Sequence, residues 1–366
     1  MHPIFEEKAI LFPVIILAGL GIIMVYSASS GISMEVFNNH FHYLKRQALF
    51  CLISVVALFA AASFPYKLLK PLTYILFVLT LGLLVAVLFP GLNVEAGGAA
   101  RWLNLGGLTF QPAEVAKLAL IIYLAYSLSK KQEMIKDFSV GFLPHVIVFF
   151  LFSILILAQP DFGTVVVLGL ITWGIMFVAG VPVLHLIAPL PLMVPFVYFL
   201  VFKVDYRMDR ILSFLNPWQD PMDTGYQITH SLKAFGSGGI FGKGIGMGMQ
   251  KLHYLPEPHT DFIFSIIGEE LGLVGVMTVF ALYATILMRG LTIARNTPDV
   301  FGRIVAAGLT LSLGLQVIIN TGVAMGLLPT KGLTLPFLSY GGTSLLINMA
   351  AMGILINIGA SRHHDA

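Results

Sequence analysis

Apolar runs of about twenty residues succeed one another along most of the chain, separated by polar breaks, and each could cross a bilayer core of about 30 Å as a helix. The pattern predicts helices near 10–29, 47–64, 71–89, 112–128, 140–158, 163–180, 183–202, 262–288, 303–325 and 337–359. A membrane β-barrel would instead show shorter segments of alternating polarity. The expected fold class is therefore all-α, a polytopic membrane protein of about ten transmembrane helices in one domain spanning residues 1–366. The runs 163–180 and 183–202 abut with almost no loop, and no internal repeat of the inverted-transporter kind is visible.

Composition narrows the picture further. Of 366 residues, 57% are hydrophobic and 11% charged, and the mean hydropathy is +0.90. The net charge of +3 is spread through loops and gives no support to nucleic-acid binding. A single cysteine, Cys51, lies inside an apolar run, which excludes a disulfide framework and a Cys-based metal site. An even helix count puts both termini on one side. Lys8, Lys67, Lys70, Lys130, Lys131, Lys136, Arg289, Arg295, Arg303 and Arg362 fall on that side, against Lys45, Arg46, Arg101 and Lys331 on the other. The positive-inside rule then places the termini in the cytoplasm and the chain in the cytoplasmic (inner) membrane. The first run ends in SASSG, which resembles a signal-peptidase site, but Glu6 and Glu7 precede it with Lys8 alone to offset them. An uncleaved first helix is expected.

One connection is far longer than the rest. Residues 203–260, between the seventh and eighth helices, form an extracytoplasmic loop in this topology, and recurrent aromatics argue against disorder. It carries Lys203, Arg207, Arg210, Lys233, Lys243 and Lys251. Arg207 and Arg210 are three apart and suit a diphosphate, since each guanidinium can grip phosphate oxygens in bidentate fashion. The glycine-rich GSGGIFGKGIGMG (236–248) could bring backbone N–H groups to an anion, yet it lacks the Walker ending. His230, His253 and His259 have no zinc-site spacing, so a metal would be held by oxygens, with Asp261 and a lipid diphosphate as the candidates.

The stretch LPEPHTDFIFSIIGEELG (255–272) sets Asp261 at the start of a predicted helix and Glu269 and Glu270 inside it. Helix capping alone would account for Asp261. Glu269 lies about 12 Å deeper and Glu270 points away from Asp261, so the acids do not form one cluster. The inner two need partners within the bundle or lie toward the cytoplasmic half. Glu114 and Lys117, three apart on one helix, can pair, either as a structural pair or in a polar cavity. Asp161 in AQPDFG sits at a helix start, where capping accounts for it. The residues alone indicate a site for an anionic, lipid-carried substrate and do not choose between moving it and reacting it.

ARWLNLGGLTFQPAEVAKLA (100–119), AQPDFGT (158–164), YRMDRILSFLNPWQDPMDTGYQ (206–227), SGGIFGKGIG (237–246), the 255–272 stretch and LPFLSYGGTSLL (335–346) together resemble the SEDS family (shape, elongation, division and sporulation) of membrane peptidoglycan polymerases. The blocks look more like division-type than elongation-type members. Ala113 stands where the family's QPSE carries Ser, and Gly97-Gly98 precede ARW where Asn-Gly is usual. The resemblance implies a glycosyltransferase that joins lipid II units outside the cytoplasmic membrane and releases undecaprenyl diphosphate, helped by a divalent cation such as Mg or Mn. It implies Asp261 as the catalytic general base and a candidate metal holder, with Arg207, Arg210, Lys117, Glu114, Lys243 and His259 around the substrate. It also implies a class B penicillin-binding protein transpeptidase and other division membrane proteins as partners. A lipid II flippase is the competing class, and a non-catalytic scaffold a third.

Overall fold

A computed structural model describes residues 7–361 except 97–98, 107, 193, 196–197, 199–204, 222–224 and 252–257. Lys203, His253, residues 255–257, Gly97-Gly98 and Arg362 lie outside the described residues, as does the Arg207 side chain.

Among the described residues nine helices are long and apolar enough to span a bilayer. They include α1 (Lys8–Phe37), α2 (His42–Ser63), α3 (Leu69–Ala86, entered through a 3-10 turn at Tyr66–Leu68), α4 (Pro112–Lys130) and α5 (Leu143–Leu157, entered through a π turn at Phe138–Phe142). The set is completed by α6 (Phe162–Ala179), α10 (Ile263–Asn296), α11 (Val300–Ala324) and α12 (Gly342–Ser361). The remaining helices are α7 (Val183–Ile187), α8 (Asp205–Leu215) and α9 (Tyr226–Gly238). The all-α polytopic expectation holds. The expected seventh span begins with α7, within an apolar stretch Val183–Leu192, and much of its remainder lies outside the described residues.

Polar contacts sort the loops onto two faces. On one, Arg289 grips Glu7 through Nε and Nη2 (2.6 and 3.0 Å), Lys70 pairs with Asp299 (3.1 Å), and Asn357 Oδ1 accepts from the Tyr66 backbone (2.9 Å). On the other, Arg101 donates to the Gln159 and Pro160 carbonyls, and the Gln111 N–H donates to Thr343 Oγ1 (3.1 Å). The first is here the terminal face and the second the loop face. SASSG, the signal-like run, is interior to α1 and contributes Ser27, Ala28 and Ser29 to the core.

Burial separates central from peripheral helices. In α11 and α12, 78% and 83% of the spanning window is buried, against 28% and 22% for α2 and the segment containing α3. Apolar side chains on those outer helices, such as Leu52, Val56, Ile75 and Val78, are exposed and face lipid, which costs nothing in a bilayer. Small residues let the central helices approach closely: a Cβ at Gly353 would stand 2.4 Å from the Leu58 carbonyl of α2.

Helix α10 is not one continuous span. Gly272 has φ 65 and ψ −162, a conformation open essentially to glycine alone, and it divides α10 into two arms. Ile263 to Glu270 are all buried, whereas lipid exposure begins at Leu273 (54%) and continues at Val274 and Met277. In a low-dielectric setting the backbone groups released by such a break need new partners. The glycine-rich segment after α9 supplies them. Lys243 and Gly244 N–H groups donate to the Glu269 and Glu270 carbonyls (both 3.0 Å), while Leu273 and Val274 N–H groups donate to Gly239 and Ile240 (3.0 and 3.1 Å). The expected single helix 262–288 is thereby corrected to a buried arm plus a membrane arm.

A second correction lies between α3 and α4, where the all-α reading expected only a loop. β1 (Asn93–Ala96), β2 (Ala99–Leu105) and β3 (Leu108–Phe110) form a three-stranded antiparallel sheet, with Val94 opposite Trp102 and Leu103 opposite Phe110. Strands this short give little periodic signal beside neighbouring spans of about twenty residues. Arg101, on β2, ties the sheet to the turn before α6.

Candidate active site

Asp261 precedes α10 in a turn; the helix N-cap is Phe262, and the first turn of the helix contains no acid. Capping, which the sequence alone made sufficient, does not account for Asp261. By contrast Asp161 is the N-cap of α6, accepting from the Thr164 N–H (3.0 Å) and Thr164 Oγ1 (2.7 Å).

What holds Asp261 is its backbone. Three consecutive carbonyls are each taken by a separate donor: His259 O by the Tyr340 N–H (2.8 Å), Thr260 O by Ser339 Oγ (2.5 Å), and Asp261 O by Asn320 Nδ2 (3.0 Å). Asn320 also donates to the Leu333 carbonyl (2.5 Å), and Ser339 Oγ accepts from the Leu335 N–H (2.8 Å). The turn is thus pinned between α11 and the 325–341 loop. The half-buried Asp261 carboxylate faces exposed Gly332, where an added Cβ would stand 3.0 Å from Oδ2.

Helix α11 links this turn to the intramembrane pair. One helical turn from Asn320, Gln316 Oε1 accepts from Lys117 Nζ (3.0 Å), and Lys117 pairs with Glu114 at 2.8 Å. Both charges are nearly inaccessible, at 4% and 6%, so each offsets the desolvation of the other. Glu114 Oε2 has no hydrogen-bond partner among the described residues. Arg210, exposed on α8, donates to the Thr330 carbonyl (3.3 Å), which brings a guanidinium to the same loop.

Other expected site residues lie elsewhere or act differently. Lys243 is bonded to Glu269 at 2.8 Å, about 12 Å along the buried arm from Asp261. The glycine-rich loop does bring N–H groups to an anion, but the anions are the protein's own Glu269 and Glu270. Met249 and Gln250 donate to Glu269 (2.9 and 3.1 Å), and Gly246 to Glu270 (3.0 Å). Lys251 Nζ (2.7 Å) and Ser27 Oγ (2.8 Å) complete the enclosure of Glu270. These acids find partners at the loop and at α1. His259 is 5% exposed and packs between Tyr43 and Tyr340, with ring centroids at 4.6 and 5.5 Å. Burial lowers it to about 4, so it is neutral at pH 7 and serves here as packing.

No group of three or more His, Cys, Asp or Glu side chains able to hold a metal occurs among the described residues. A Mg²⁺-like ion, which keeps several waters and binds through one or two carboxylates plus substrate phosphates, needs no more than Asp261 from the protein.

Over residues 8–364 the sequence matches the FtsW/RodA/SpoVE family, described as "Cell cycle protein". The chain belongs to this family. It is the family its motifs resemble. A relative from Geobacter metallireducens named "Probable peptidoglycan glycosyltransferase FtsW" is 44% identical, covering 96% of this chain and 94% of its own. The stage V sporulation protein E of Bacillus subtilis is 42% identical over 94% of each chain. Among solved structures, a chain from work titled "Structural coordination of polymerization and crosslinking by a peptidoglycan synthase complex" superposes with TM-score 0.81 at 30% identity, covering 98% of this chain and 99% of that one. Rod shape determining protein RodA of Thermus thermophilus superposes with TM-score 0.71 at 29% identity, covering 98% and 97%.

Within this family fold, the Glu114–Lys117 pairing is legible from spacing and the role of Asp261 from the resemblance, whereas the groups that position the acid carry no such mark. Asn320 and Ser339 are short polar residues in apolar surroundings, which is a signal, though one shared with many helix-packing residues. Only the fold shows that they converge on two adjacent carbonyls of the Asp261 turn.

Proposed function

We propose that this protein is a peptidoglycan glycosyltransferase that polymerises lipid II into glycan strands on the outer side of the cytoplasmic membrane, releasing undecaprenyl diphosphate for septal wall synthesis. Asp261 is the general base. It takes the proton from the acceptor sugar's 4-hydroxyl while that oxygen bonds to the donor's anomeric carbon; the bond to the diphosphate breaks and its electron pair leaves with the diphosphate. A diphosphate leaves as an anion, so no carboxylic general acid is required. Arg207 and Arg210 on α8 offset that charge, and Glu114–Lys117 line the inner wall of the site. A divalent cation bound by Asp261 and the diphosphate would supply further charge neutralisation.

The observation that carries this reading is the half-buried Asp261 carboxylate on a turn whose three carbonyls are separately anchored. Such fixing is what base catalysis needs, since a small misplacement costs rate steeply. The names of the full-length relatives support the same reaction. Both termini are cytoplasmic in this reading, which puts the loop face outside. The partner is a single-span class B penicillin-binding protein, a reading supported by the likeness to a chain of a peptidoglycan synthase complex. Equal polymerisation by the lone protein and the complex would count against activation through that contact.

Purified protein given lipid II is expected to produce glycan polymer, and Asp261→Asn to abolish it while leaving folding and lipid binding. Normal polymer from Asp261→Asn would remove the base assignment. Movement of lipid II across vesicles without polymer would instead make the protein a transporter.

A further inference from the structure

The segment 330–333 touches three of the groups described above. The Thr330 carbonyl accepts from Arg210, Gly332 lies against the Asp261 carboxylate, and the Leu333 carbonyl accepts from Asn320. Lys331 sits in the middle of this run. Its stem crosses Gly163, where even a Cβ would collide with the lysine chain, and its ammonium donates to the Gly163 carbonyl at the start of α6.

The charge of the half-buried Lys331 is not matched as those of Lys117 and Lys251 are. Lys117 and Lys251 hold carboxylates at 2.8 and 2.7 Å. Lys331 has none within 4.0 Å among the described residues; a neutral carbonyl is its hydrogen-bond acceptor. Asp161, whose charge favours the ammonium, is committed to Thr164, and Lys117 adds a second positive charge from α4. Burial holds Lys331 down at about 8, so it remains mainly protonated at pH 7. A partly desolvated cation with N–H bonds to spare, one residue from the glycine that faces the Asp261 carboxylate, is costly unless an anion completes it.

We propose that Lys331 binds the diphosphate of the lipid-linked donor, gripping it from the α6 side while Arg210 approaches from α8, so that the anomeric carbon is presented to Asp261. This rests on the glycosyl-transfer reading of the same site. Lys331 neutralises charge that grows on the diphosphate as the glycosidic bond breaks.

The test is direct binding of undecaprenyl diphosphate to the full chain in phosphatidylcholine nanodiscs, which requires no turnover. Lys331→Met keeps the stem over Gly163 and removes the charge; its affinity is expected to fall about 10- to 100-fold, the effect of one charge-assisted hydrogen bond. Lys331→Arg is expected to stay within about threefold of wild type, and phosphatidylglycerol to leave binding unaffected. Wild-type affinity should weaken as pH rises through about 8, and that of Lys331→Arg should not. The proposal is overturned if Lys331→Met binds within about twofold of wild type. It is equally overturned if Met and Arg variants are weakened alike, which would make Lys331 a geometric latch, or if phosphatidylglycerol displaces the diphosphate. Polymerisation by Asp261→Asn reports on the base assignment and undecaprenyl diphosphate binding by Lys331→Met on the Lys331 assignment, so the two failures are read in separate assays.

Discussion

Asn320→Ala separates positioning of the acid from stability. The side chain is 1% exposed and donates to the Asp261 and Leu333 carbonyls, at 3.0 and 2.5 Å. Two neutral hydrogen bonds contribute about 1 kcal/mol each, or roughly 2 kcal/mol together. Asn320 Oδ1 has no partner among the described residues, and removing that buried oxygen recovers about 1 kcal/mol. The expected net loss is about 1 kcal/mol, a fall of roughly 2–4 °C in the apparent unfolding midpoint. Activity should suffer more. With its carbonyl released, the Asp261 turn keeps two of three anchors, and a displacement of about 1 Å in a reacting group costs up to about 100-fold in rate. Polymerisation measured against lipid II concentration should therefore show kcat down about 10- to 100-fold with KM within about twofold, because Asn320 is assigned no substrate contact. A kcat within about twofold of wild type, in protein that folds normally, would refute the view that this anchor positions the base.

Gly272→Ala forces a side chain into a glycine-only conformation with its Cβ 2.3 Å from the Gly242 nitrogen, so a loss of about 3 kcal/mol or more is expected; a wild-type unfolding midpoint would contradict it. The two buried glutamates should differ: Lys251 is 9% exposed and would be stranded by Glu270→Gln, whereas Lys243 is 32% exposed and can turn to water after Glu269→Gln. Unfolding midpoints should place the first at about 3–5 kcal/mol and the second clearly below it, and the reverse order would defeat the argument. His259 is held at about 4 by burial, below its ordinary 6.5, so its neutral form is favoured on folding. Its contribution is intact above pH 6.5 and is lost as pH falls from 6.5 toward 4, by about 3 kcal/mol in all. Unfolding midpoints from pH 4 to 7 should show this slope, and His259→Phe should flatten it.

The approximate positions and order of nine spans among the described residues and the separation of Asp261 from Glu269 and Glu270 were legible in the sequence, because bilayer thickness and helix periodicity act locally along the chain. The pairing of Glu114 with Lys117 was legible for the same reason, being three residues apart on one helix. What the glycine-rich loop binds was not. Its N–H groups signal an anion in any setting, and only packing shows the anion to be Glu269 and Glu270, enclosed together with Ser27 from the far end of the sequence. The break at Gly272 is equally a tertiary matter, since a glycine in an apolar run costs little to read through as helix until another segment arrives to bond the freed groups. The same holds for the anchoring of Asp261 by Asn320 and Ser339 and for the unmatched charge of Lys331. Hydrogen bonds between residues 59 and 79 positions apart leave no periodic trace in a sequence, and the fold alone brings them within reach.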